Sequence, residues 1–335
     1  MTKKLAKWIG YGNALKIKYF FQKPKPKEII IDICAACNAS CPFCPRLYMP
    51  EERSKGYMDM DLFRFILSEA KREGIKNIRL YSTAEPTLHP KFDEIIDLLK
   101  KDDFFVSVST NASMLDKHIE SLMKVDILQY SIEGWDKESY ERYRVPLKFD
   151  KVYNNIKKFH SEKIKRERYP KVVTNLLLTK KTDLKRYMEL WGEYIDTVKL
   201  NFMLEATVYQ DGKFLSRKNE ILKDEYYSFG KQTRNFLCTY PFNILTVAYD
   251  GKIALCCNDF SASMNIGHIK EGVSSVFQSP VLQKIRNEFL TQQLEKCKGC
   301  AFFSLPEKKD IWAVQNSVGE LDECYRRKIS WEIDF

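Results

Sequence analysis

The stretch Ile31-Asp-Ile-Cys-Ala-Ala-Cys-Asn-Ala-Ser-Cys-Pro-Phe-Cys-Pro45 contains three cysteines, Cys37, Cys41 and Cys44, in the pattern C-x3-C-x2-C. Thiolates grouped this closely in one loop suit an iron–sulfur cluster or a zinc ion. Three ligands are one too few to close a four-iron cluster. A cluster bound by these cysteines would therefore keep one iron open, and an open metal position is where chemistry takes place.

Strand-like and helix-like patterns alternate along the chain from residue 28. Short apolar runs predict strands at 28–33, 78–81, 104–108, 127–131, 172–177 and 197–201. Segments with one apolar face follow them and predict helices, the later ones at 116–124, 136–144, 150–166 and 183–195. This alternation predicts an α/β fold with a parallel sheet and helices outside it. Six such units are too few for a complete eight-stranded barrel.

Polar residues follow the predicted strands. The second strand runs into Tyr81-Ser-Thr-Ala-Glu-Pro-Thr-Leu-His-Pro90, the third into Ser109-Thr-Asn-Ala112 and the fourth into Ser131-Ile-Glu-Gly134. In parallel α/β folds, ligands bind at the carboxyl ends of the strands. The cysteine loop directly follows the first strand, so we expect it at the same end as these polar segments.

The cysteine triplet, with an aromatic residue just before its last cysteine, resembles that of the radical S-adenosylmethionine (radical SAM) enzymes. Glu85-Pro86 resembles the family's Gly-Gly-Glu-Pro loop, with Ser82-Thr83-Ala84 where glycines are usual. Thr110-Asn111 resembles its Thr-Asn-Gly turn, and Ser131-Ile-Glu-Gly134 its Ser-Ile/Leu-Asp-Gly segment. The resemblance implies a partial (βα)6 barrel of the TIM type over residues 28–204.

In that family, the open iron of a 4Fe–4S cluster chelates S-adenosylmethionine (SAM). One electron, here expected from flavodoxin or ferredoxin, cleaves SAM to methionine and a 5′-deoxyadenosyl radical, which takes a hydrogen atom from the substrate. The resemblance implies that Arg144 pairs with the SAM carboxylate and that Asn175 contacts the adenosine. The full set of implied SAM contacts is Phe43, Ser82, Glu85, Asn111, Ser131, Arg144 and Asn175.

A fourth cysteine, Cys34, extends the pattern to C-x2-C-x3-C-x2-C. Four thiolates would close a zinc or cluster site. Cys34 belongs to the end of the first strand, next to Ile33, and the triplet is complete without it. We therefore expect Cys34 to pack in the core.

Four later cysteines resemble the ligand set of the twitch domain, a shortened SPASM extension of radical SAM enzymes. Cys238 precedes a predicted hairpin that turns at Asp250-Gly251 and leads to Cys256, and Cys297-x2-Cys300 follows. The resemblance implies one auxiliary 4Fe–4S cluster. Zinc is the chemical alternative, because four thiolates suit it equally.

Two cysteines, Cys257 and Cys324, are left over from both sets. We expect them to pack in the protein, as most spare cysteines do. The alternative is that one of them donates a hydrogen atom to a substrate radical, as in radical epimerases.

Composition and charge bear on the partners and the compartment of the protein. The 335 residues carry a net charge of +10, but their basic side chains are spread along the chain beside acids. This favours a solvated surface over nucleic-acid binding. The chain does not open on an apolar signal core, and its clustered cysteines indicate metal ligands, so we expect a cytoplasmic protein. Residues 1–27 are basic and amphipathic; they either cover the open bottom of the barrel or contact an anionic membrane surface or a partner.

The predicted organisation is a basic extension at 1–27, the barrel at 28–204, a linker at 205–235, a small α+β iron–sulfur domain at 236–303 and a C-terminal segment at 304–335. The resemblance implies a net oxidation of a small polar metabolite such as a sugar or aminocyclitol, since no leader-peptide domain is visible. Peptide maturation and radical epimerisation are alternatives. A non-catalytic zinc or iron–sulfur protein is the alternative from another class, and it predicts no SAM binding.

Replacement of Cys297 by serine tests the second cysteine set. It should remove about half of the iron and spare reductive SAM cleavage, because each set would hold its own cluster. Iron analysis and a 5′-deoxyadenosine assay measure the two effects, with Cys324→Ser as the control. Unchanged iron in the Cys297 variant would refute the auxiliary cluster.

Overall fold

The structure is a computed structural model. It describes residues 13–14, 17–19, 23–53, 55–82, 84–204, 206–210, 213–217, 219–233, 238, 240–290 and 304–330. The expected ligands Cys297 and Cys300 lie outside these residues, as does most of the 1–27 extension. Within the described ranges, no helix is both long enough and apolar enough to cross a membrane.

Six parallel strands form the centre of the fold, and each pairs with the next in chain order. They are β1 (Glu28–Ile31), β2 (Asn77–Leu80), β3 (Phe105–Thr110), β4 (Ile127–Tyr130), β5 (Lys171–Leu178) and β6 (Thr197–Phe202). The connecting helices are α1 (Met60–Arg72), α2 (Phe92–Lys101), α3 (Ile119–Leu122), α4 (Lys137–Tyr143), α5 (Phe149–Lys163) and α6 (Leu184–Trp191). The predicted α/β class and partial (βα)6 barrel are confirmed.

Local sequence explains where the first helix begins and ends. The Asp59 carboxylate accepts the backbone N–H groups of Asp61 at 2.9 Å and Leu62 at 3.3 Å, which satisfies donors that the first helical turn leaves free. Gly74, with a φ of 70°, follows the last turn. Four apolar side chains on one face of this helix join the core: Phe63, Ile66, Leu67 and Ala70.

The helix predicted at 116–124 is shorter than expected. A 3-10 turn occupies Leu115–Lys117 and α3 occupies only Ile119–Leu122. His118 separates the two, because its backbone has a non-helical φ of −126° and ψ of 26°. Its ring lies 2.9 Å from the Asp93 carboxylate, so a side-chain contact holds the break.

The region expected to be a linker, 205–235, contains strands of its own. β7 (Ala206–Gln210) and β8 (Lys213–Arg217) pair as an antiparallel hairpin, and β9 (Phe229–Thr233) pairs with β12 (Ser304–Pro306). Asp211-Gly212 lies between β7 and β8 in the sequence, and this dipeptide is a strong hairpin signal.

The sheet continues beyond the six barrel strands at both edges. The predicted hairpin is confirmed as β10 (Ile244–Val247) and β11 (Ile253–Ala254), and β10 pairs in parallel with β1. At the other edge, β13 (Ile329–Ser330) pairs in parallel with β6. The hairpin and β13 together extend the six-stranded sheet to nine strands, and the hairpin covers the unpaired backbone groups that β1 would otherwise present.

Five further helices lie in the C-terminal part of the described chain. They are α7 (Tyr240–Asn243), α8 (Val273–Phe277), α9 (Pro280–Leu290), α10 (Lys308–Gly319) and α11 (Glu323–Arg326). Glu69 of α1 joins this part to the barrel, because its buried carboxylate accepts the backbone N–H of Val273 at 2.9 Å.

Gly134, just after β4, is required by close packing. Its φ is 96°, and a Cβ there would lie 2.4 Å from the backbone nitrogen of Tyr140. Gly134→Ala should lower the free energy of unfolding by about 2–4 kcal/mol, because it adds both left-handed strain and overlap with α4. Urea unfolding measures this loss.

The matched control is Gly74→Ala, which also places a side chain at positive φ but meets nothing within 4 Å. We expect it to cost only about 1 kcal/mol. Equal losses in the two variants would show that the contact with Tyr140 does not matter.

Candidate active site

The cysteine loop connects β1 to a 3-10 turn at Pro45–Tyr48, and backbone hydrogen bonds hold it. The Met58 N–H donates to the Ile33 carbonyl at 2.7 Å, which closes the base of the loop. The Cys44 N–H donates to the Cys41 carbonyl at 2.9 Å and tightens its tip. The loop thus leaves the carboxyl end of β1, as predicted.

The three cysteines of the triplet lie close together; Cys41 is buried, and Cys37 and Cys44 are half-buried. Burial raises the pKa of Cys37, Cys41 and Cys44, to about 12 for Cys44. For Cys37 and Cys44, the charge of a neighbouring cysteine raises the pKa further. Bound metal would remove this penalty, because thiolates crowded in a buried loop need positive charge beside them.

The donor set of this loop suits an iron–sulfur cluster. Thiolates are the ligands that such clusters take in proteins. Each of the three cysteines can bind a different iron of a four-iron cluster.

Cys34 has a different environment from the triplet. Its side chain is 2% exposed, and its thiol donates to the Glu85 carbonyl at 3.1 Å. Burial raises the pKa of this thiol as well. These contacts agree with the expected packing role.

Arg144 lies next to the cysteine loop, where Glu133 balances its charge. Its Nη1 is 3.5 Å from Cys41 Sγ, its Cζ is 5.3 Å from the centre of the Phe43 ring, and its guanidinium forms an ion pair with Glu133. Burial raises the pKa of Glu133, and Arg144 opposes that shift. The predicted pairing of Arg144 with the SAM carboxylate would therefore compete with a buried ion pair that the sequence did not reveal.

The Glu85 carboxylate joins the ends of β2 and β3. It is buried and accepts four hydrogen bonds: from the N–H and hydroxyl of Thr87 at 3.2 and 2.6 Å, the Thr110 hydroxyl at 2.8 Å and the Asn111 N–H at 2.6 Å. Burial raises the pKa of Glu85, and these donors oppose the shift. Glu85 therefore positions the surrounding loops, and its direct contact with SAM stays a prediction.

Asn111 connects its turn to the cysteine loop. Its side-chain amide donates to Asn38 Oδ1 at 2.8 Å, and its Oδ1 accepts the Ser113 N–H at 3.0 Å. Ala112 stands where the family has glycine and keeps a left-handed backbone, with a φ of 63°. The turn therefore retains a glycine-like conformation without the glycine.

A hydrogen-bonded row crosses the carboxyl halves of β3, β4 and β5. The hydroxyls of Ser131 and Ser109 are 3.1 Å apart, Gln129 Nε2 donates to Ser109 Oγ at 3.1 Å, and Asn175 Nδ2 donates to Gln129 Oε1 at 3.1 Å. Ser131 and Asn175 were predicted from the sequence, and the structure brings them into one network. Ser82, also predicted, is half-buried after β2.

The sequence alone did not reveal Ser109 and Gln129 as members of this row. The signal was available, because Gln129 is a polar residue between two apolar ones, Leu128 and Tyr130, in a short strand. Alternation of this kind places the polar residue on the opposite face from its buried neighbours.

Cys256 lies toward the other end of the barrel. β10 runs parallel to β1 and β11 runs back, so the chain leaving β11 heads toward the amino ends of the strands. Burial raises the pKa of Cys256, and the nearby Cys238 raises it further, so these two expected ligands are neighbours. Cys257 shares a hydrogen bond with Tyr240.

Cys324 is exposed on α11, in the outer helical layer. Its neighbour Tyr325 packs against Gly192, which follows α6. Its expected packing role is therefore wrong. This position also gives no support to hydrogen-atom donation by Cys324, because an exposed thiol on the outer layer does not face the barrel interior.

A cavity of about 420 Å³ occupies the barrel interior. Arg79 is central to its wall, because it donates to the Tyr81 hydroxyl at 2.6 Å and pairs with Glu28 at 2.7 Å. Burial raises the pKa of Tyr81. The other polar side chains of the wall are Asn77, Ser107, Gln129, Lys171, Thr197 and Lys199.

Two family models match the regions that hold these cysteines. The radical SAM superfamily model matches residues 31–190, and the model of the SPASM iron–sulfur cluster-binding domain matches residues 238–301. A partial barrel with a three-cysteine loop after its first strand defines the class. The chain belongs to the radical SAM superfamily and carries a C-terminal SPASM domain.

Solved structures share this fold. SuiB of Streptococcus suis bound to precursor peptide SuiA aligns with a TM-score of 0.60 and 17% identity, over 81% of this chain and 69% of that one. BtrN in complex with AdoMet and 2-DOIA aligns with a TM-score of 0.54 and 16% identity, over 83% of this chain and 94% of that one.

A curated relative is the cofactor-modifying protein of the tungsten-containing aldehyde ferredoxin oxidoreductase of Pyrococcus furiosus. It is 32% identical over 111 residues, which are 32% of this chain and 31% of that protein. The match thus spans less than a third of the relative's length.

The cofactors of this protein are SAM and 4Fe–4S clusters. Cys37, Cys41 and Cys44 would hold the SAM-binding cluster. The auxiliary cluster would be held by Cys238, Cys256, Cys297 and Cys300.

Cys41→Ala and Cys34→Ala form a matched pair of variants. Cys41→Ala should abolish reductive SAM cleavage, because two thiolates cannot hold the cluster. Cys34→Ala should keep both iron and cleavage, since that thiol only donates to a carbonyl. Iron content and 5′-deoxyadenosine formation measure both effects. Cleavage by the Cys41 variant would contradict the ligand assignment, and lost iron in the Cys34 variant would make Cys34 a ligand.

Proposed function

We propose that this protein is a radical SAM oxidoreductase that removes two hydrogens from a small polar metabolite of the sugar or aminocyclitol type. The polar cavity in the barrel interior carries this proposal. Its volume of about 420 Å³ falls in the usual range for small-molecule sites. It lies along the strands that run from the amino ends near Cys256 to the cysteine loop at the carboxyl ends.

When bound, SAM on the open-iron cluster supplies a 5′-deoxyadenosyl radical that takes one hydrogen atom from the substrate. The protein's own residues bind and orient the substrate. Arg79 and Gln129 offer donors, and Glu28 and Ser107 offer acceptors, on one continuous wall. Such a mixture suits a molecule with several hydroxyl or amino groups.

Oxidation requires that the substrate also lose a proton and an electron. We propose that this electron passes from the substrate to the site of the C-terminal cysteines, since Cys238 and Cys256 lie toward the amino ends of the same barrel. Flavodoxin or ferredoxin would supply the electron for SAM cleavage. The proton would leave through the polar groups of the cavity wall.

Two other reactions would use the same site. Hydrogen donation by Cys257 would make the reaction an epimerisation, with no net loss of electrons, and Cys257 is near enough to influence Tyr81 in the cavity wall. Modification of a peptide, which SuiB binds as its precursor, is the second.

The test is an anaerobic assay of the reconstituted protein with SAM, a reductant and two pools, one of small polar metabolites and one of peptides, in deuterated water. We expect the metabolite pool to raise 5′-deoxyadenosine formation and to yield a product lighter by two hydrogen atoms, by mass spectrometry. A product with the formula of the substrate, but with one hydrogen replaced by deuterium from the solvent, would indicate epimerisation. A response to peptides alone would contradict the substrate class.

Ser107→Val checks that the cavity binds the substrate, at a position of the wall outside the row that includes Ser131 and Asn175. It should lower the substrate-dependent rate about tenfold or more, because it leaves polar partners unpaired, and should not change SAM cleavage without substrate. The control is Asn154→Leu, at an exposed position of α5, which should change neither rate.

A further inference from the structure

Two adjoining cavities lie outside the barrel, beside the start of β1. One has a volume of about 460 Å³ and is lined by residues of α7 and α9, by Gln278 just after α8 and by the segment before β1; the other has about 380 Å³. Tyr19 and Lys23 line both, so the two form one groove.

The groove is strongly positive. Four lysines and one arginine line it, and neither cavity has an acidic residue in its described wall. Three of the lysines are exposed on one short segment before β1, and the structure shows no ion pair for any of the four lysines with a described acidic residue. The five cations are Lys18, Lys23, Lys25, Lys27 and Arg286.

Arg286 has no carboxylate partner in the described part of the chain. It is 4% exposed; its Nε donates to the Pro241 carbonyl at 2.6 Å and its Nη1 to the Phe277 carbonyl at 2.7 Å, while its Nη2 has no hydrogen-bond partner. Burial without a counter-charge lowers the pKa of Arg286 to about 10. The groove therefore combines exposed positive charge with a buried cation that lacks an anion.

The groove lies beside α7, the helix that follows Cys238. The Tyr19 ring stacks on Phe242 of α7 with centroids 4.7 Å apart, and its hydroxyl donates to Asn243 at 3.3 Å. α7 begins two residues after Cys238, and its first residue, Tyr240, is hydrogen-bonded to Cys257. The groove thus borders the helix that follows the first of the expected auxiliary ligands.

We infer that this groove, with its exposed lysines, is the docking surface for an acidic electron-carrier protein of the ferredoxin or flavodoxin class. The inference rests on the proposed function, which leaves one electron at the C-terminal cysteines for each substrate oxidised. The oxidised form of the carrier accepts that electron and becomes reduced. Charge complementarity identifies the partner, since exposed lysines around a groove whose described wall has no acidic residue attract a negatively charged surface.

The test compares two triple variants of the fully reconstituted protein. The first is Lys23→Gln with Lys25→Gln and Lys27→Gln. The control removes three exposed lysines elsewhere, Lys151, Lys158 and Lys185 on α5 and α6, and so matches the change in net charge. Calorimetry measures the binding of a purified acidic ferredoxin at low and at physiological ionic strength.

We expect the groove variant to bind ferredoxin about tenfold more weakly at low salt and to lose most of the salt dependence, while the control stays within about twofold of the parent. Equal binding by both variants would overturn the docking surface. So would tight binding of inorganic phosphate to the groove with unchanged ferredoxin affinity, because the groove would then be a small-anion site.

Iron analysis and SAM cleavage on the same samples separate this inference from the proposed function. If the protein holds only one cluster and its ferredoxin binding still depends on the groove, the oxidation route is refuted and the docking surface is supported. If the protein holds two clusters and its ferredoxin binding does not depend on the groove, the oxidation route is supported and the docking surface is overturned.

Discussion

Glu85 is the residue on which the geometry of the site most depends. Its carboxylate fastens the ends of β2 and β3, its N–H donates to the Ala36 carbonyl at 3.1 Å, and its carbonyl accepts the Cys34 thiol. One buried residue thus ties two strand ends to the cysteine loop. A buried carboxylate is costly unless hydrogen-bonded, so its four donors hold this arrangement firmly.

Much of the architecture could be predicted from the sequence because it depends on local patterns. The apolar runs that became β1–β6 are short and bounded by turn residues, and the helices between them have clear apolar faces. His118 breaks a helix through its own backbone, and no periodicity shows that. The pairing of β10 with β1 is a contact between distant segments, so it too could not be read from either segment alone.

The site residues also fall into two groups, those that the sequence predicts and those whose contacts depend on packing. The cysteine triplet and the polar residues after β2, β3 and β4 form recognisable motifs, because the carboxyl ends of parallel strands meet at one edge. Glu133 lies in such a motif, but its ion pair with Arg144 depends on how α4 packs against the loop. Gln129 and Arg79 lie inside strands, where sequence shows a polar residue but not its neighbours across the barrel.

The described cysteines of the two groups lie toward opposite ends of the barrel strands. The triplet lies at the carboxyl ends of the strands and Cys256 lies toward the amino ends. The polar cavity is lined from the first residues of the strands, such as Asn77 and Thr197, up to Gln129 and Lys199. The positive groove lies outside the barrel, next to the helix that follows Cys238. A substrate that extends from the cavity toward the cysteine loop would lie between the place where its hydrogen atom is removed and the place where its electron leaves.

We expect both cysteine groups to hold clusters and the first cluster to cleave SAM. Iron, sulfide and zinc should be measured after anaerobic reconstitution, followed in the same sample by reduction with SAM and an assay for 5′-deoxyadenosine. About eight irons per chain and formation of 5′-deoxyadenosine are expected. Zinc in place of iron, with SAM left intact, would contradict this expectation.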